Sequence, residues 1–153
     1  MAVPAVAMTR ALAQQLVKTG VNPDLFREDF AEWKTDWSNH EFDSFYFGKD
    51  GAYVAPNVGG RRYCLKHVHL QPIADPRDVR DWQRNFARGG RRVSDRCLVY
   101  AEKKAEGPYL LIAILDEPNA HDIAAMRTAE HRKLMEEFAD IADQFITYDE
   151  ITA

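Results

Sequence analysis

Cysteine is scarce in this chain. Only Cys64 and Cys97 occur in 153 residues, too few for a disulfide framework, so both read as buried thiols. Long hydrophobic runs are missing too. No stretch approaches the roughly 20 apolar residues of a membrane helix, which excludes a helical span and a membrane partner. The opening MAVPAVAMTRALAQQ is mildly apolar, but Pro4 interrupts it and no basic residue precedes it. It does not read as an export signal, and the expected location is cytoplasmic. Nor is there a Gly-rich phosphate loop ending in Lys-Ser/Thr, a GxSxG elbow, or zinc-finger spacing. Those absences remove nucleotide hydrolases and serine hydrolases from contention. Internal repeats and low-complexity segments are likewise lacking.

What is present is enough for one folded domain over residues 1–153, since 46% of the chain is apolar. The net charge of −4 is unevenly spread. Between Arg61 and Lys104 twelve basic residues stand against five acidic ones, a local excess of +7 that leaves −11 elsewhere. A local positive field recruits polyanions whatever the total charge, although a solvated arginine surface gives the same count.

The clearest structural signal runs from Asp95 to Pro118. Tyr109 to Leu115 is an unbroken apolar run, which suits a strand covered on both faces. Arg96 to Lys103 alternates, with Leu98, Tyr100 and Glu102 on one side and Cys97, Val99 and Ala101 on the other. Gly107-Pro108 between them predicts an antiparallel hairpin. Arg61 to Gln71 reads as another strand, placing Tyr63, Leu65, His67 and His69 on one face. Asn22-Pro23 and Asp75-Pro76 open helices. In the first, Leu25, Phe26, Phe30 and Trp33 form the apolar side, with an end near Asn39. In the second, Val79, Trp82 and Phe86 face inward, and Arg77, Arg80, Arg84 and Arg88 face outward. Ala7 to Val17 is open between helix and strand. Glu41 to Gly60 reads as turns and short extended pieces, or as a loop over a site. After Pro118 a helix capped by Asn119 and Asp122 carries the stripe Ile123, Leu134, Phe138, Ile141 and Phe145, with Arg127 on that stripe and Glu130 and His131 on its shoulders.

Two constellations could carry chemistry. His67-Val68-His69 puts two imidazoles on one strand face, suited to acid–base work or to a metal, or simply two ordinary strand residues. A metal needs a third ligand, which His40, His121 or His131 could give, but no spacing such as HExxH or CxxC supports it, so no metal and no cofactor is expected. The second set is dispersed: His67, His69, His131 and Tyr100 with Arg92 and Arg96. Cleaving RNA through the neighbouring 2′-OH needs a base, an acid for the leaving 5′-oxygen, and cations for charge building on phosphorus. Arg62, Lys66 and Arg127 are further candidates for the phosphates, arginine being the better clamp because its planar fork takes two oxygens.

The run HVHL at 67–70, then CLVYAEKKAEGPYLLIAIL and a helix ending MEEFADIADQF, together with DFAEWKTD and YFGKDGAY, resembles the YafO family of type II toxin–antitoxin toxins. The likeness touches most of the chain. It implies an α+β, RelE-like fold, with helices on a small twisted, mostly antiparallel sheet. It also implies ribosome-dependent, metal-independent endoribonuclease (mRNA interferase) activity, with mRNA on the ribosome and a cognate antitoxin as partners. The family's imidazoles fall at His67, His69 and His131 and its strand tyrosine at Tyr100. Two departures are an insertion near Val58–Arg62 and the acidic tail ITYDEITA, which could fold over the sheet as a phosphate mimic; Tyr148 within it is a remote candidate. Alternatives are a non-catalytic RNA- or protein-binding module using a basic sheet face, and a metal-dependent hydrolase centred on the histidine pair.

Overall fold

In the computed structural model, residues 4–35, 44–58 and 64–153 are described. Asn39, His40, Arg62 and Tyr63 lie outside them. The elements run β1 (Val6–Met8), α1 (Arg10–Lys18), α2 (Pro23–Thr35), β2 (Phe47–Ala52), β3 (Lys66–Leu70), α3 (Pro76–Ala87), β4 (Cys97–Glu102), β5 (Tyr109–Leu115), α4 (Ala120–Ala125) and α5 (Ala129–Tyr148). Among the described residues the strands form one sheet in the order β1-β5-β4-β3-β2. β1 pairs with β5 in parallel and the other pairings are antiparallel. The fold is α+β.

The expected hairpin is the centre of the sheet. Cys97 pairs with Leu115 and Glu102 with Tyr109, with a register shift between Val99 and Tyr100. The alternation read from the sequence holds. Cys97, Val99 and Ala101 join one core cluster with α5 residues Met135, Phe138, Ala142 and Phe145. Leu98 and Tyr100 join a second cluster with Leu12, Leu16, Phe30 and Trp33 of α1 and α2. Val68, Leu98, Leu110 and Leu111 are fully enclosed; burying each such side chain contributes about 1.5–3 kcal/mol.

The ambiguous start resolves as a helix: Leu16 and Val17, where a strand would have ended, lie in α1, and a separate three-residue strand, β1, precedes it. Thr9 makes the join. Its side chain caps α1 by accepting from the Leu12 amide at 3.1 Å, and its hydroxyl donates to the Ile112 carbonyl at 2.7 Å. One buried residue thus ends β1, starts α1 and pins both to β5. Asn22 caps α2, accepting from Asp24 N–H at 2.9 Å, and Asp75 caps α3, accepting from Arg77 N–H at 2.8 Å.

The stretch read as turns and short extended pieces contains the six-residue edge strand β2, which pairs with β3 across a bulge between Phe47 and Asp50. Two expectations are corrected. The single helix after Pro118 is two helices. Met126 adopts a left-handed conformation (φ 53°) that stops α4, and Thr128 caps α5 by accepting from His131 N–H. Asn119 makes no side-chain cap. The acidic tail runs the other way from the imidazoles. The Ala153 carbonyl accepts from Arg10 N–H at the start of α1, and Asp149 pairs with Lys103.

Arg92 explains how α3 is held. Its guanidinium is fully buried and donates to the carbonyls of Ser44, Phe45 and Phe47. It lies 5.2 Å from the Trp82 ring centre and 5.0 Å from that of Phe86. Gly48 is obligatory beside it, because a Cβ there would meet the Arg92 carbonyl oxygen at 2.5 Å and the Trp82 ring at 2.7 Å.

Candidate active site

Helix α5 packs against β4 and β5. The β2–β3 half of the same sheet face is lined by imidazole and phenol rings. His67 and His69 pair across the ladder with Val99 and Cys97, which point toward α5, so both imidazoles share this face as alternation requires. Tyr53, just after β2, stacks flat on His67, with ring centres 4.1 Å apart at 16°. His67 lies 5.6 Å from His69, and His69 lies 5.7 Å from His121 at the start of α4. Four rings therefore form a row from the edge strand to α4. Gly51 sits opposite His67, and a Cβ added there would be 3.8 Å from the imidazole.

Each imidazole has a different anchorage. His67 is half-buried and its Nδ1 is enclosed without a hydrogen-bond partner among the described residues. Burial, then the charge of His69, pulls its pKa down to about 4, with Lys49 adding to the effect. His69 is 5% exposed, and burial lowers its pKa also. Its Nδ1 lies 2.7 Å from the Ser94 carbonyl oxygen and 3.0 Å from the Ser94 amide nitrogen. The two contacts ask opposite things of Nδ1: when protonated it donates to the carbonyl and the lone pair is on Nε2, and when unprotonated it accepts from the Ser94 N–H. Cys97 Sγ is 3.7 Å from the same nitrogen; burial pushes this thiol up to about 12, so it stays protonated and is no nucleophile.

His121 is held differently. Asp95 Oδ1 accepts both its ring Nδ1–H, at 2.9 Å, and its backbone N–H, at 2.7 Å. The Ser94-Asp95 turn thus fixes two imidazoles at once, one through its main chain and one through its side chain. Lys49, exposed on the β2 bulge, is close enough that its charge acts on both His67 and His69. Sequence reading proposed no role for Asp95 or Lys49 and offered His121 only as a metal ligand. No local motif joins these positions; they meet through three successive strand pairings, β2–β3 bringing Lys49, Cys97 with His69 bringing Asp95, and Cys97 with Leu115 bringing His121.

The remaining candidates do not join the row. Tyr100, expected to stack on a base or orient phosphate, is fully buried on the opposite face. Its hydroxyl donates to Asp50 at 2.5 Å and accepts from Lys34 at 2.8 Å. Arg92, expected on the phosphate, is spent on main-chain carbonyls. Arg96 pairs with Asp116 at 3.3 Å and donates to the Gln71 carbonyl. Lys66 faces the Tyr100 side and pairs with Glu102 at 2.6 Å. Arg127 is exposed in the break between α4 and α5. His131 lies in the first turn of α5, its backbone N–H donating to Thr128. Among the described residues no group of three or more His, Cys, Asp or Glu side chains is arranged to hold a metal ion, and no helix is long and apolar enough to cross a membrane.

Neither a solved structure nor a curated protein matches the chain. A family model does match, over residues 35–147, which takes in β2 to α5 with all four rings, Ser94 and Asp95; its description is toxin YafO, type II toxin–antitoxin system. With well over half its length in that match, the chain belongs to the YafO family of type II toxins, proteins paired with an antitoxin.

Proposed function

We propose that this toxin is a ribosome-dependent endoribonuclease that cleaves mRNA through the 2′-OH next to the scissile phosphate. One observation carries the reading: His67, His69 and His121 stand in a continuous row on the half of the sheet face beside α5. Two of those imidazoles have depressed pKa values, so at neutral pH they are unprotonated and able to accept a proton. Lys49 supplies a cation beside them. Exposed Arg77, Arg80 and Arg84 on α3 and Arg88 at its C-cap offer charge for the RNA backbone. Family membership in a toxin–antitoxin system supports an activity that must be restrained.

The test is purified toxin with ribosomes and a reporter mRNA. Wild type should cleave in the presence of chelator, and a His67→Ala/His69→Ala double variant should lose at least about 100-fold, the usual contribution of acid–base groups. Cleavage by the double variant at the wild-type rate would remove the imidazole assignment.

A further inference from the structure

In general acid–base cleavage of RNA, the base and acid must act on different oxygens of one phosphorus. Two neighbours in the imidazole row are built for opposite tasks. His69 is buried, its Nδ1 is anchored on the Ser94 carbonyl, and its neutral form is favoured. The His121 side chain is 65% exposed and its Nδ1–H is held by the Asp95 carboxylate at 2.9 Å. A carboxylate on Nδ1–H fixes the tautomer and ring direction and leaves Nε2 as the nitrogen for proton exchange. Asp95 also accepts the backbone N–H of His121, so the ring's base and its tip are set by one residue.

We infer that His121 is the general acid of this site and Asp95 its positioning residue, with His69 the base. The assignment rests on the nuclease reading above. His69 Nε2 takes the 2′-OH proton. The 2′-oxygen attacks phosphorus and forms the 2′,3′-cyclic phosphate. The bond from phosphorus to the 5′-oxygen breaks, and that oxygen takes the Nε2 proton of His121. The proton count closes, with one imidazole gaining what the other loses.

A leaving-group substitution separates this role from a structural one. Ribosomes are programmed with a short synthetic mRNA carrying either oxygen or sulfur at the 5′ position of the cleaved linkage. A 5′-thiolate departs without protonation, so the sulfur substrate needs a base but no acid. His121→Gln should slow the oxygen substrate by roughly 100-fold or more and cleave the sulfur substrate within a few-fold of wild type. Asp95→Asn should show the same pattern with a smaller oxygen defect. His69→Ala should be slow on both. Because His121 is largely exposed, its replacement should leave the fold intact, checked by unchanged urea unfolding. Equal rates for His121→Gln and wild type on oxygen, or an equal deficit on both substrates, would overturn the assignment. Wild type that leaves both RNAs intact would instead defeat the nuclease reading itself.

Discussion

Beneath α2, Lys34, Asp50 and Tyr100 close on one another: Lys34 Nζ is 2.7 Å from Asp50 and 2.8 Å from the Tyr100 hydroxyl. Lys34 also lies within 6 Å of the ring centres of Phe30, Trp33, Tyr100 and Tyr109. On the other face of the same sheet His67, His69 and His121 stand in a row, and one enclosed nitrogen has no partner among the described residues. Both groups contain the residue types that RNA cleavage needs. The difference lies in what each polar atom has left over. In the Lys34 cluster the ammonium, carboxylate and hydroxyl satisfy one another inside a ring cage, so the cluster holds α2 to β2 and β4. In the imidazole row, hydrogen-bonding capacity is kept in reserve.

The comparison can be broken from either side. The largest effect is expected from Lys34→Ala, which leaves Asp50 enclosed without its cation; breaking a buried pair in this way costs about 3–5 kcal/mol. Urea unfolding should record that loss, and residual folded protein should cleave mRNA normally. Tyr100→Phe removes the buried hydroxyl that donates to Asp50 and accepts from Lys34, for a loss of about 1–3 kcal/mol. A selective loss of cleavage without loss of stability in this variant would return Tyr100 to the active site.

Acid should weaken the imidazole side. The folded pKa of His67 is about 4 and that of His69 is also lowered, against an unfolded value near 6.5. Between those limits the unfolded chain binds more protons, so stability is complete above about pH 6.5 and is lost as pH falls toward about 4. The half-buried setting limits the loss to roughly 1–2 kcal/mol, read from urea midpoints at about pH 7 and pH 5. Replacing both histidines should flatten the dependence. The smallest effect has the opposite sign. His67→Phe keeps the stack on Tyr53 and deletes the enclosed nitrogen, so it should raise stability by up to about 1 kcal/mol while depressing cleavage. A stabilised and fully active variant would make His67 a packing residue.

Local signals in the sequence were accurate at several places, though not at Asn119, which makes no side-chain cap. The β4–β5 hairpin, the proline-led starts of α2 and α3, and the shared face of His67 and His69 each depend on residues within a few positions of one another. The break at Met126–Thr128 escaped because the apolar stripe continues through it at the right angular spacing, while the left-handed residue that stops α4 is not a glycine. β1 escaped because three residues carry no period. The site divided in the same way. The histidine pair was legible from alternation, but the Ser94-Asp95 turn reaches His69 only through the pairing of β3 with β4, and Asp95 reaches His121 through the far end of the β4–β5 hairpin. Tyr100 and Arg92 were misplaced for a related reason: residue type announces what a side chain could do, whereas Asp50 and Lys34, and the carbonyls of residues 44–47, had already claimed them.

Gly48 gives the arginine-bearing helix a fixed seat. With a hydrogen where any other residue has a carbon, the indole of Trp82 rests directly on the edge-strand backbone, and the Arg92 carbonyl takes the Lys49 amide at 2.8 Å. The same contact joins the bulge that presents Lys49 to the helix that presents Arg77, Arg80 and Arg84. A bulkier residue at this position would therefore displace both sets of cations together without altering a single imidazole.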